Sequence, residues 1–269
     1  MKAKSDIIFT PSQPELKFSS QNYIEYRPPN LKNSEVSLFY QFKIDKHAQG
    51  FLQVIPDGCF DLLFCTHSVH PFALVASSPN QRCTYHFQPD CEYFAVRFYP
   101  EQNSLPFTIP IKELIQHQQV PLFDVVNLPS FLLEKIAILS SFQERVKWFQ
   151  YFLHTIKQES DYTHNLVSHC IHKIYSSNGA INVKDLSAET GYSDRYVRKK
   201  FEELVGFSPK NFSQIVRLQY FVNKISNNSS PIEDAMDYGF FDQSHFYKNF
   251  RKHMALTPKQ FRDKFYLET

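Results

Sequence analysis

The chemistry this sequence offers most clearly lies in two clusters of basic and amide side chains in its second half. Arg195, Arg198 and Lys199 share a segment in which Val197, Phe201, Leu204 and Val205 recur at helical steps, so the apolar residues take one helix face and the charged ones the other. Around Phe246 and Phe250, Gln243, Ser244, Tyr247, Lys248 and Arg251 fall outward in the same way. Arginine pairs two-pronged with guanine and glutamine with adenine, while any lysine or arginine attracts phosphate. A solvated helix surface has the same composition, so the surrounding pattern must decide.

A second group sits in the first half. Alternation along a strand puts Tyr93, Ala95, Arg97 and Tyr99 on one face, and Cys59, Asp61, Leu63 and Cys65 on one face of another. If those faces line a cavity, Asp61, Arg97, Tyr93 and Tyr99 form a ligand site in which Arg97 pairs an anion. The competing partner for Arg97 is an internal carboxylate. Cys59, Cys65, His67, His70, Cys83, His86 and Cys91 fit neither paired Cys-x-x-Cys ligands nor a His-x-His cluster, so no metal and no cofactor are expected. No nucleophile elbow, Walker loop, dinucleotide glycine pattern or HExxH segment is present, and the chain is not expected to be an enzyme.

The elements that hold these groups divide near residue 160. Thirteen of the 16 prolines precede it, and Lys+Arg exceeds Asp+Glu by three after it against a deficit of one before it. Short aromatic or β-branched runs at 37–44, 51–55, 60–64, 72–76 and 93–99, closed by Pro or Gly, predict strands of a small sandwich or barrel. From Leu132 to Ile156 the apolar residues move to three- and four-residue steps, which predicts one or two amphipathic helices.

An internal repeat organises the remainder. Phe201/Phe250, Pro209/Pro258 and Phe212/Phe261 are each 49 residues apart, and Gly191/Gly239 are 48 apart. Asn182 and Ser230-Pro231-Ile232-Glu233 supply helix starts, Gly191 and Gly239 the turns, and Ser193 and Asp242 the caps of the next helix. Ser208-Pro209 and Thr257-Pro258 open a third helix in each copy. Helix, tight turn, helix, made twice, is a pair of helix-turn-helix units, each with a second helix suited to a major groove. The run 208–225 predicts one stiff connector between them.

Over residues 165–266 the sequence resembles the AraC/XylS family of bacterial transcription regulators. The resemblance is carried by Ala235-Met236-Asp237-Tyr238-Gly239-Phe240, then Ser244, Phe246, Lys248, Phe250, Arg251, Thr257-Pro258 and Phe261-Arg262. It implies base-reading roles for Arg195, Arg198 and Lys199 in the first unit and for Gln243, Ser244 and Lys248 in the second. Ala255 stands where the family pattern prefers glycine, Phe261 where tyrosine is usual, and Lys248 where arginine is common. Lysine keeps the charge there without the two-pronged contact. The segment Pro56-Asp57-Gly58-Cys59-Phe60-Asp61-Leu62 resembles a smaller group of AraC-type sensor domains, which implies a cupin-like β-barrel followed by helices that often mediate dimerisation.

The fold expected is therefore α+β: a cupin-like β-barrel sensor or effector domain over 1–125, a helical dimerisation or linker segment over 126–160, and an all-α double helix-turn-helix domain over 161–269. The function expected is a sequence-specific DNA-binding transcription regulator, an activator, controlled by a small-molecule effector or by homodimerisation. Its partners are double-stranded DNA and RNA polymerase. The start of the chain shows no apolar export signal, and the sequence has no run of about 18 apolar residues, so a cytoplasmic protein without membrane contact is expected. The competing reading is a cupin-type metalloenzyme, or a redox or thiol sensor, with an accessory DNA-binding domain.

Overall fold

The computed structural model describes residues 9–29, 35–47, 49–156, 162–226 and 243–266. In the first half, β1 (Gln21–Tyr26), β2 (Val36–Lys43), β3 (Phe51–Val54), β4 (Phe60–Cys65), β5 (Phe72–Ser77), β6 (Cys83–His86), β7 (Glu92–Phe98) and β8 (Gln119–Pro121) make two sheets. The larger is antiparallel in the order β1-β2-β7-β4-β5-β8, and β3 pairs with β6 in the smaller. The central strands are apolar on both faces because both faces are covered. Phe39, Leu62, Phe64, Phe94 and Val96 point into one core, and Leu38, Tyr40, Leu63, Cys65, Tyr93 and Ala95 into another. The second core is closed by Leu52, Val54 and Tyr85 of the small sheet and by Leu16 of α1 (Pro14–Ser19).

The helices after the strands pack on the first face. These are α2 (Ile111–His117), α3 (Leu122–Val125), α4 (Phe131–Ile138) and α5 (Phe142–Ile156). Leu132, Ile136, Phe142, Val146, Phe149 and Phe152 share a core with Phe39, Phe64 and Phe94. Buried Arg145 fastens α5 to the sheet through Glu92 and Gln41, each at 2.6 Å, and its Nε donates to the carbonyl of Leu139 at 3.1 Å. The segment over 126–160, expected as a helical dimerisation or linker segment, thus packs on the sheet. The periodicity read there is real, but its apolar side is consumed by the sheet, so α4 and α5 form a layer of the β domain.

The second half contains α6 (Tyr162–Ser176), α7 (Val183–Thr190), α8 (Asp194–Val205), α9 (Pro209–Ser226), α10 (Gln243–Met254) and α11 (Pro258–Tyr266). The start signals act as expected where they are described. Asn182 Oδ1 accepts from the amide of Asp185 at 3.1 Å, Ser193 Oγ from that of Tyr196 at 3.3 Å, and Ser208 Oγ from that of Asn211 at 3.2 Å. Thr257 and Gln260 cap each other reciprocally at 3.2 and 2.9 Å. Gly191 turns the chain between α7 and α8 at φ 74°, and a Cβ there would meet nothing within 4 Å, so backbone conformation alone asks for glycine. Ser230-Pro231-Ile232-Glu233, Ala235 to Phe240 and the Asp242 cap lie outside the described residues.

Candidate nucleic-acid interface

Helix α8 divides as its sequence periodicity requires. Val197, Phe201 and Val205 are buried, and Phe201 packs on Phe212 of α9 with ring centroids 5.6 Å apart. Arg195, Arg198 and Lys199 are exposed on the other side. Glu203 takes the ammonium of Lys200 at 2.8 Å and stands 3.9 Å from that of Lys199. Among the described residues no ion pair holds Arg195 or Arg198. In α10, Phe246, Phe250 and Met254 are buried, with Phe246 against Phe221 at 4.7 Å and Phe250 against Phe261 at 6.0 Å. Gln243, Ser244, Tyr247, Lys248 and Arg251 are exposed. Phe261, where tyrosine is usual in the resembled family, is fully buried.

Both helices are braced on α9, whose 18 residues run about 27 Å at ~1.5 Å per residue. Phe212, Ile215 and Val216 belong to the core of the first unit, and Leu218, Phe221, Val222 and Ile225 to that of the second. Successive major-groove faces are separated by about 34 Å, a length close to that of the connector.

The β domain is seated on this same helix. Gln219, fully buried, donates to the carbonyl of Pro56 at 2.7 Å and accepts from the amide of Ser12 at 2.8 Å. Asn223 donates to the carbonyl of Thr10 at 2.8 Å. Farther along, the amide of Arg82 donates to the carbonyl of His253 at 2.7 Å, and the guanidinium of Arg82 grips Glu15 at 2.6 and 2.7 Å. Burial lowers the His253 pKa, which favours the neutral ring. On the other side, Ile111 and Ile115 of α2 close on Gly206 at the end of α8. Pro110 and Lys112 thereby stand in an open groove shared with Arg195, Arg198 and Lys199 and with the carboxylates Asp194, Glu202 and Glu203, and Lys112 is exposed. Sequence reasoning missed Lys112, because only the fold brings it beside the outer face of α8.

The proposed ligand residues are not brought together as a group. Asp61 and Arg97 are direct cross-strand partners on β4 and β7, joined by two hydrogen bonds of 2.8 Å. Tyr40 donates to Asp61 at 2.7 Å, and Asp57 lies 3.4 Å from Arg97. Burial works against the Arg97 charge, but Asp61 and Asp57 outweigh it and hold the guanidinium protonated. Burial pushes the Asp57 carboxyl up, against the pull of Arg97. The space beside this cluster is about 20 Å³, roughly one water. Tyr93 shares the face of Ala95 but stacks on Phe42 and accepts from the amide of Gln88 at 2.8 Å. Tyr99 is a correction. It lies beyond the end of β7, where alternation no longer applies, and its hydroxyl donates to the carbonyl of Phe9 at 3.0 Å.

Four of the cysteines carry no sign of activation. Burial raises the Cys59 and Cys83 thiols, takes Cys65 to about 12 and takes Cys170 to about 11. A reactive thiol is displaced the other way. Among the described residues no group of three or more His, Cys, Asp and Glu is placed to hold a metal, and no helix is long and apolar enough to cross a membrane.

A β-rich domain followed by a helical domain with two outward polar helices defines a two-part protein with a helix-turn-helix module. Residues 186–264 match the family described as "Helix-turn-helix domain", and residues 24–121 match one described as "Domain of unknown function (DUF6597)". The C-terminal part of the chain is thus similar to helix-turn-helix domains. It is 31% identical over 94 residues to the "Uncharacterized HTH-type transcriptional regulator YbfI" of Bacillus subtilis, a match covering 35% of this chain and 33% of the relative. The chain thus spans about a third of the length of the curated relative it matches. Solved structures of ToxT from Vibrio cholerae are also similar: one is 14% identical, covering 90% of this chain and 98% of that one at a TM-score of 0.39. Another, described as unsaturated fatty acid bound, is 13% identical, covering 90% and 94% at 0.37.

Proposed function

We propose that the protein is a sequence-specific DNA-binding transcription regulator that acts as an activator. The observation that carries this reading is the exposure of two polar helix faces, Arg195, Arg198 and Lys199 on α8 and Gln243, Ser244, Tyr247, Lys248 and Arg251 on α10, both braced on the one connector α9. In this reading lysines and arginines supply salt-dependent attraction to phosphates, while Arg198 and Gln243 read base edges in neighbouring grooves. The β domain, seated on α9 and α8, is the controlling part, acting through a bound effector or through homodimerisation, and RNA polymerase is the partner at the promoter. A state that favours one geometry of the two reading helices changes DNA occupancy in proportion to its differential affinity.

The test is selection from a randomised duplex library by the wild type, Arg198→Ala and Gln243→Ala. Each variant should relax base preference in a different half of the site, at a cost of about 1–3 kcal/mol for the preferred sequence. Uniform weakening across all sequences in both variants would overturn the assignment of the reading faces.

A further inference from the structure

Where an effector would bind is a separate question, and the interior beside Arg97 is already filled by protein. A larger cavity, about 260 Å³, lies at the seam between the two domains. Its β-domain wall is formed by Cys59, Phe60 and Ser77 with Leu114 of α2, and its other wall by Leu204 and Val205 in the last turn of α8. None of the residues that line it is Asp, Glu, Lys or Arg, and His164 supplies its one imidazole. The Cys59 thiol, raised by burial, is uncharged at neutral pH. Asn103 also lines the cavity, and its buried Nδ2 has no hydrogen-bond partner. The loop that carries Asn103 is fixed, because Glu35 accepts the amides of Asn103 and Ser104 at 3.2 Å each. An orphaned buried amide donor costs about 1–3 kcal/mol unless something accepts from it.

We infer that this seam is a binding site for a small, electrically neutral, largely apolar molecule carrying a carbonyl or hydroxyl oxygen. The volume sets the size. An apolar cavity of about 150 Å³ takes benzene, so this one accommodates a substituted single ring or a short branched chain. The walls set the charge, since an ionised ligand would leave water for a lining that holds no carboxylate, ammonium or guanidinium to pair with it. The Asn103 Nδ2 donor sets the one required polar feature. Because the two walls belong to different domains, a bound ligand stabilises the arrangement in which the β domain is docked against α8. That last consequence rests on the regulator reading, whereas the site itself does not.

The experiment titrates the full chain with 4-fluoroacetophenone, a neutral ketone, and with 4-fluorobenzoate, an anion of similar size, by fluorine NMR. The ketone should bind saturably and at least about tenfold more tightly than the benzoate. Leu204→Trp, which fills the cavity from a partly exposed position, should abolish ketone binding, and Asn103→Leu should weaken it several-fold while circular dichroism shows both variants folded. Ketone binding that persists in Leu204→Trp, benzoate binding as tight as the ketone's, or no saturable binding of the ketone at millimolar concentration overturns the proposal. DNA selection by the unliganded wild type is measured separately, so loss of the ligand site and loss of the DNA-reading assignment give different results.

Discussion

Gly58, in the turn Pro56-Asp57-Gly58-Cys59, lies against the ring of Phe212 on α9, so close that a Cβ at that position would stand 2.6 Å from Phe212 Cε2. The turn is fixed from within. Ser78 Oγ accepts the amides of Asp57 and Gly58 at 2.9 and 2.8 Å, and Asp57 accepts from Gln13 at 2.8 Å. The segment read as a sensor signature is therefore the seat on which the connector helix of the other domain rests.

A methyl group at this seat has no room, and the backbone there is at φ +75°, where L residues are strained. Gly58→Ala should lower stability by about 2–4 kcal/mol, combining left-handed strain with overpacking against a fully buried ring. Urea unfolding followed by tyrosine and tryptophan fluorescence reads the change. An unchanged midpoint would mean that the turn and α9 do not meet in solution.

Arg97 compensates two buried carboxylates, Asp61 at 2.8 Å and Asp57 at 3.4 Å. Arg97→Met removes that compensation and should cost about 3–5 kcal/mol. The double variant Asp61→Leu/Arg97→Met should recover part of the loss, because an apolar pair of similar volume has fewer charges to desolvate. Equilibrium denaturation of both variants measures the difference. A double variant no more stable than the single one would show that the pair is more than a compensated burial.

Glu101 gives stability a pH dependence whose sign follows from the burial of its carboxyl. Burial is the largest cause raising its carboxyl to about 7, with Glu35 adding to it, while the hydroxyl of Tyr175 on α6 donates to its carboxylate at 3.1 Å. The folded pKa lies above the unfolded value of 4.5, so the folded protein holds the extra proton between those limits. Stability from this group is therefore largest at the acid end and is lost as pH rises from 4.5 through 7. In thermal melts from about pH 5 to pH 8, Glu101→Gln should gain on the wild type as pH rises. An equal difference at both ends would place the titration elsewhere.

The sequence carried the caps at Asn182, Ser193, Ser208 and Thr257 and the burial of Val197, Phe201, Phe246 and Phe250, because helix periodicity and capping are local. It also carried the strands with two apolar faces. β1 has almost entirely exposed residues, β8 has three residues and β6 alternates weakly, so none had an apolar run to reveal it. The seating of Gln219 on Pro56, and of Lys112 beside Arg198, depends on contacts across more than eighty residues of chain. No local pattern encodes such a pairing. Tyr99 misled because alternation holds only while the strand does, and β7 ends at Phe98.

Ala255 shows a local rule broken within the second unit. It follows α10 at φ +55°, where its amide donates to the carbonyl of Arg251 at 2.9 Å, in the left-handed turn that leads to Thr257 and α11. Gly191 and Gly206 meet the same demand in the first unit with no Cβ to strain. Ala255 is exposed, so its methyl gains little by packing and the strain is uncompensated. Ala255→Gly should therefore stabilise the protein by about 1 kcal/mol, the cost of left-handed alanine less the added freedom of glycine when unfolded. Denaturant midpoints measure it, and DNA selection should be unchanged because Ala255 follows the end of α10 and leaves the exposed residues Gln243, Ser244, Tyr247, Lys248 and Arg251 unaltered. Destabilisation instead would show that the methyl group at 255 makes a contact in solution that outweighs its backbone strain.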